Sequence, residues 1–411
     1  MDFQNLREHQ EKLITYLHEN SYSKRYIQAF RLEISRILKD VAGKKWASYK
    51  EIYLDLMKTP YSKSYLRNKK TIIGALEQFD LHGRCPVWRR GHSLFERGAY
   101  HSLSQEFRDL IDFFRETEAR RGKKETTIKN EAHATASFLL SLQQKGADRL
   151  AKITEESVLS SFVSENGHSL KSYSYKNKIA AVFRAGVVWN EAECKRILSY
   201  LPAFRKTRKN IQYLTKEELN RVRTALDDFS NGLSLRDRVI VLLLMYTGLR
   251  RCDIVAMTLN AIDWETLLIR ITQQKTEVPL ELHFSALVGN AIYDYIQSER
   301  PQTAKPHLFL SQTHPQSELK SSSVWYIIEK TMKAAGIRQE PGARRGSHIF
   351  RHHLATSLLE NGIPQPIISQ VLGHTSPNSL EPYLRASFIH LKECALDISC
   401  FPVAEEVFGD D

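Results

Sequence analysis

Apolar residues recur three and four positions apart over 10–19 and over 26–41 (YIQAFRLEISRILKDV), a spacing that predicts one buried stripe along each of two helices. Ser23 stands where the second would be N-capped. Basic residues then alternate with rings in 61–70 (YSKSYLRNKK) and 85–95 (CPVWRRGHSLF). Such a stretch suits phosphates and bases, and equally a solvated helix face whose rings point inward. The helical period returns from Ser104, a second candidate N-cap, to 201 in three runs, with Gly146 as the stop of the middle one. A proline and a run of bases without an acid mark 202–212 as a basic linker. Thr215 and Glu218 then fit a capping box that opens a new domain. In that domain 239–246 (VIVLLLMY) is apolar on every side and predicts a buried helix, ended by Gly248. The one β pattern follows: TLLIRITQQ, a KTE turn and VPLEL predict an antiparallel hairpin with Lys275 at its tip. Helices resume over 284–299, 321–336 and 347–385, with a stop at Asn361-Gly362 ahead of Pro364 and a turn at Gly373. The fold class expected is therefore mainly α, with a small antiparallel β element in an α+β C-terminal domain.

Length and charge extend this picture. A chain of 411 residues divides into two or three cores. With 42% hydrophobic and 26% charged residues it is globular in composition. A net charge of +12 and a pI near 9.3 favour a polyanionic partner. The N-terminus is charged throughout, and the longest apolar run falls far short of the ~20 residues of a membrane span. A cytoplasmic protein with no membrane partner is expected. The five cysteines are scattered, with no C-x-x-C pair, which argues against a disulfide framework or structural zinc.

The chemistry gathers in 347–385, which holds His348, Arg351, His352, His353, His374 and Tyr383. His348 and His352 have the i, i+4 spacing of zinc proteases, but Ile349 stands where the glutamate base would be and Arg351 would put a cation among the ligands. No metal is expected. One or two of these histidines could fill a core; the whole set is not explained that way.

The order H-x-x-R-H, L-G-H, then Tyr383 nine residues after His374, closely resembles the tyrosine recombinase (phage integrase) family, above all integrases and transposases of bacterial mobile elements. T-G-L-R at 247–250 resembles the family's first-arginine motif and QQKT at 273–276 its hairpin lysine motif. Glu277 occupies a place where glycine is common. The helical period makes 1–100 a helical N-terminal module that could bind DNA; the resemblance implies a catalytic domain at 213–385, a helical core-binding DNA-binding domain at 104–201 and a C-terminal tail at 386–411 that could be exchanged between protomers. It also implies that Tyr383 attacks a scissile phosphodiester, forming a 3′-phosphotyrosyl link and freeing a 5′-hydroxyl. Two guanidiniums, Arg250 and Arg351, would clamp the non-bridging oxygens, with His374 adding a hydrogen bond. His348 is the candidate base, Lys275 the candidate acid, and His352 a supporting residue. The covalent link conserves the energy of the broken ester, so no cofactor is expected. The partners implied are double-stranded DNA, a homotetramer assembled on it through C-terminal helix exchange and an accessory directionality protein. Arg205, Lys206, Arg208 and Lys209 in the linker would touch phosphates. Two alternatives carry different consequences: a catalytically inactive DNA-binding regulator of the same fold, and a type IB topoisomerase-like relaxing activity.

Overall fold

The computed structural model describes residues 3–40, 43, 46–86, 94–95, 98–164, 170–204, 211–312, 316–376 and 379–384. The chain divides into two compact units, Met1–Arg208 and Lys209–Asp411.

Two separate apolar clusters occupy the first unit. Around one lie α1 (Gln4–Glu19), α2 (Lys24–Asp40), α3 (Tyr49–Met57) and α4 (Lys63–His82). Their stripes meet in Leu6, Leu17, Phe30, Ile37, Ile72 and Phe79, each at most 2% exposed. Ser23 Oγ accepts from the Tyr26 amide at 3.3 Å, as an N-cap should. The basic-aromatic stretch 61–70 is the start of α4, and it splits between the two readings. Tyr61 and Tyr65 stay exposed with ring centroids 4.5 Å apart, whereas Lys69 turns inward and, with Arg36, pairs the wholly buried Glu33. A buried carboxylate left unpaired would be costly, which explains the inward cation. Most of 85–95 lies outside the described residues.

The second cluster is ringed by α5 (Gln105–Arg120), α6 (Glu125–Gln143), α7 (Glu155–Phe162), α8 (Tyr173–Gly186) and α9 (Glu191–Tyr200). Phe107, Phe114, Phe138, Phe162 and Phe183 fill it. Gly146, at φ +99°, ends the middle helix as the sequence predicts. Ser104 departs from expectation. It stands at the N-cap position, but its hydroxyl caps nothing and is buried without a partner. The Gln143 side chain braces the backbone just ahead of α5, accepting from the Ser104 amide at 2.8 Å and donating to the Ser102 carbonyl at 2.9 Å. The linker residues Arg205, Lys206, Arg208 and Lys209 lie outside the described residues, as does the tail 386–411.

The second unit opens with α10 (Lys216–Asp227), on which both halves of the Thr215–Glu218 capping box are made. Then come α11 (Leu235–Thr247), α12 (Arg251–Ala256), β1 (Ile262–Asp263), β2 (Leu268–Thr272), β3 (Pro279–His283), α13 (Ala286–Ser298), α14 (Ser321–Ala334), α15 (His348–Glu360), α16 (Gln365–Leu372) and α17 (Glu381–Leu384). Helix α11 is the central rod. Its apolar run is buried up to Met245, while Tyr246 is 39% exposed. Arg236 and Arg238 are buried as well, Arg236 donating to the Leu310 carbonyl at 3.0 Å and Arg238 to that of Asp228 at 2.8 Å. The strands form one antiparallel sheet in the order β1-β2-β3, one strand more than the predicted hairpin. Its register pairs Ile269 with Leu282 and Ile271 with Leu280. A satellite cluster of Ala355, Leu359, Ile368, Leu372, Leu380 and Tyr383 joins α15, α16 and α17. This satellite core is what fixes Tyr383.

Candidate active site

Two left-handed glycines deliver the ends of two helices to one place. Gly248 (φ +61°) ends α11 and Gly373 (φ +62°) ends α16. Arg351, only 4% exposed, lies between these ends. Its Nη1 donates to the Gly248 carbonyl at 2.9 Å and its Nη2 to the Leu372 carbonyl at 2.6 Å. Carbonyls at helix C-termini lack intrahelical partners and carry the negative end of the helix dipole, so a guanidinium there meets both needs. Burial, and then the neighbouring cation Arg250, push the Arg351 pKa down to about 10.

Arg250 follows the Gly248 turn as the N-cap residue of α12. Its Nη1 donates to Gln273 Oε1 at 2.7 Å. Gln273, fully buried at the end of β2, also accepts from Thr276 Oγ1 at 2.6 Å and donates from Nε2 to the Leu372 carbonyl at 3.2 Å. A Cβ on Gly373 would meet the Gln273 amide at 2.4 Å, so that position needs glycine for space as well as for φ. Asp253, 2% exposed, accepts from the Gln274 amide at 2.8 Å and so ties α12 to the loop that carries Lys275. Lys275 is exposed in the loop between β2 and β3.

Tyr383 is 5% exposed, and its hydroxyl lies 2.9 Å from His352 Nδ1. Burial raises the phenol above its ordinary pKa, while Arg351, within hydrogen-bond reach, and Arg250 pull the other way. His352 is pushed down to about 4 by burial, then by His348, Arg351 and Arg344. His374 is likewise pushed down to about 4, by burial and then by Arg351 and Arg250. Its ring is near-parallel to Tyr383 at 6.5 Å, and its buried Nδ1 has no partner. His348, at the start of α15 and accessible to solvent, is lowered by the protein packed around it and then by Arg351, Arg251, Lys275 and Arg250. After burial, neighbouring cations are the main charges that act on His348, His374 and Tyr383, a field that favours a bound anion.

Arg250, Arg351, His374 and Tyr383 are thus drawn together, with His348 and Lys275 near enough for their charges to interact. His353, which had no expected role, receives one: its Nδ1 lies 2.6 Å from the Leu214 carbonyl, tying α15 to the segment before α10. His352, a supporting residue by the sequence reading, is the histidine that meets the tyrosine hydroxyl. Asp253 reads from the sequence as opening or supporting α12, and its tie to the Gln274 amide is added by the structure; Gln273 escaped sequence reasoning. Gln273 lies inside the QQKT motif but reads as an ordinary polar residue before a turn, and only its burial reveals its part.

The phage integrase family model matches residues 212–390. A putative integrase/recombinase of Sinorhizobium fredii is 35% identical over 185 residues, covering 45% of this chain and 94% of the relative. A second from the same organism is 37% identical, over 43% of this chain and 41% of its own length. Tyrosine recombinase XerA of Pyrococcus furiosus is 32% identical, over 39% of this chain and 53% of that protein. The chain thus spans nearly all of the first relative and about half of the other two. Among solved structures, the XerH site-specific recombinase bound to palindromic difH substrate superposes with a TM-score of 0.55 at 18% identity, over 73% of this chain and 98% of that one. A lambda integrase dimer bound to a COC′ core site gives 0.52 at 19%, over 78% and 87%. Fold and relatives together define an enzyme class, the tyrosine-type site-specific recombinases. The chain belongs to the phage integrase family.

Proposed function

We propose that this chain cuts and rejoins duplex DNA at specific sites through a 3′-phosphotyrosyl link to Tyr383, in the service of a mobile genetic element. One observation carries the reading: the buried Tyr383 hydroxyl has Arg351 within hydrogen-bond reach and Arg250 close enough to act on it electrostatically. A phosphodiester seated there would meet two guanidiniums able to clamp its non-bridging oxygens as negative charge accumulates. The unpartnered Nδ1 of His374 is free to donate to the same oxygens in its Nδ1–H tautomer. Lys275, exposed beside this field, is the candidate acid for the departing 5′-oxygen, and His348 a further polar group at the rim. With two arginines and a lysine supplying the positive charge, cleavage is expected to proceed in excess EDTA without a cofactor.

The partner is double-stranded DNA, and the net charge of +12 favours it. The protein acts in the cytosol, where that substrate lies, as a homotetramer on DNA coupled through its C-terminal segment, with an accessory protein setting direction. Arg205, Lys206, Arg208 and Lys209 contribute phosphate contacts from the linker. An inactive regulator is disfavoured by the presence of all six candidate residues, Arg250, Lys275, His348, Arg351, His374 and Tyr383.

The test is Tyr383→Phe. It should bind DNA like the wild type and form no covalent adduct with a nicked duplex that traps the wild-type protein. An adduct formed by this variant would refute the nucleophile. Exchange between two duplexes separates recombination from simple relaxation, which needs only one.

A further inference from the structure

We propose that His352 accepts the proton of Tyr383 during strand cleavage and returns it during rejoining, a role that rests on the reading of Tyr383 as nucleophile. The motif alone suggested His348 for this task. The structure brings the next histidine instead: His352 Nδ1 lies 2.9 Å from the Tyr383 hydroxyl, with ring centroids 5.3 Å apart and planes at 55°. Consecutive residues on a helix point ~100° apart. Arg351 can therefore face the ends of α11 and α16 while His352 faces α17. The His348 ring lies against that of His352, with centroids 6.0 Å apart, and makes no hydrogen bond to Tyr383 among the described residues.

The protonation states agree. Burial, then His348 and Arg351 on its own helix and Arg344 ahead of it, keep His352 neutral at pH 7. Arg351 donates toward the phenol oxygen. In its Nε2–H tautomer, His352 then offers the Nδ1 lone pair to the hydroxyl proton. His374, facing Tyr383 from the end of α16, is neutral as well. A phosphodiester clamped by Arg250 and Arg351 adds negative charge to this space and makes His352 a stronger base when DNA is bound. The step balances. The Tyr383 Oη–P bond forms as the Oη proton passes to Nδ1. The P–O5′ bond breaks as the 5′-oxygen takes a proton from Lys275. Rejoining runs both transfers backwards.

The test uses the full chain and nicked duplexes that the wild-type protein captures covalently from a randomised-sequence pool. His352→Ala and His352→Asn should bind these duplexes within about threefold of wild type but cleave ~10²- to 10⁴-fold more slowly, the range for loss of a general base. The His352→Ala rate should then climb toward tenfold per pH unit above neutrality, as phenolate forms unaided, while the wild-type profile stays flatter. Asparagine separates proton transfer from positioning, because its amide can hold the hydroxyl but cannot take the proton. Wild-type cleavage by His352→Asn would overturn the proposal, as would a pH-rescued defect in His348→Ala with none in His352→Ala. Neither result touches the nucleophile, whereas an adduct in Tyr383→Phe would refute that reading itself.

Discussion

Arg250 and Gln273 are joined by a hydrogen bond of 2.7 Å, Nη1 donating to Oε1, and the same amide donates onward to the Leu372 carbonyl at 3.2 Å. Arg351 reaches that carbonyl too, at 2.6 Å. The two guanidiniums are therefore held to one backbone atom at the end of α16, one directly and the other through a buried glutamine. Their separation is set by a rigid frame and not by two flexible side chains, which is what stabilising charge in a transition state requires.

Gln273→Leu keeps the volume and removes all three side-chain hydrogen bonds, those with Arg250, Thr276 and the Leu372 carbonyl. Cleavage of a nicked duplex should fall by ~10² to 10³, as for loss of one charge-stabilising donor, with DNA affinity little changed. Denaturant unfolding should also show a loss of about 1–3 kcal/mol, because Arg250 and the Leu372 carbonyl each lose a partner.

Gly373→Ala should act through the same residue. The added Cβ would lie 2.4 Å from the Gln273 amide at a φ of +62°. Backbone strain alone costs about 1 kcal/mol, and displacement of Gln273 should lower cleavage as well. In a double-mutant cycle the combined Gly373→Ala, Gln273→Leu variant should cleave no more slowly than Gln273→Leu alone. Additive losses would show that the two residues act separately.

Glu277 holds a left-handed φ of +60° without being glycine, and its amide donates to the Gln273 carbonyl at 2.8 Å. Glu277→Gly should relieve that conformation and raise Tm, the equivalent of roughly 1 kcal/mol less the entropy glycine adds to the unfolded chain. A lower Tm would mean that the glutamate side chain stabilises the turn by more than its backbone costs.

Acid should weaken the fold through two histidines. His352 and His374 titrate near 6.5 when unfolded and near 4 in the folded protein. Between those values the unfolded chain binds more protons, so their contribution to stability is complete above about pH 6.5 and is lost as pH falls toward 4. Tm measured against pH should drop over that window, and less steeply in His374→Asn. Saturating sulfate should reduce the drop if the anion occupies the cationic site.

Local chemistry was readable from the chain where it depends on neighbours in sequence. The Thr215–Glu218 box, the stops at Gly248 and Gly373 and the spacing of His348 and Arg351 all follow from contacts within a turn or two. The hairpin was readable from its alternation, though the two-residue β1 is too short to leave a pattern. Ser104 stands at the N-cap position that the sequence marks, but the partner of its amide, Gln143, lies 39 residues away and leaves no local signal.

By itself the sequence determined which reactive side chains exist, their order along the chain and the helix ends that expose them, since these follow from local preferences and side-chain chemistry. Only the tertiary structure decided which groups touch. His352 meets Tyr383 across 31 residues because α17 packs on α15, and Gln273 meets Leu372 across 99 because the β2–β3 loop folds against the end of α16. Burial in those contacts, which no local pattern encodes, is what turns one histidine of several into the tyrosine's partner and an ordinary glutamine into the brace between two arginines.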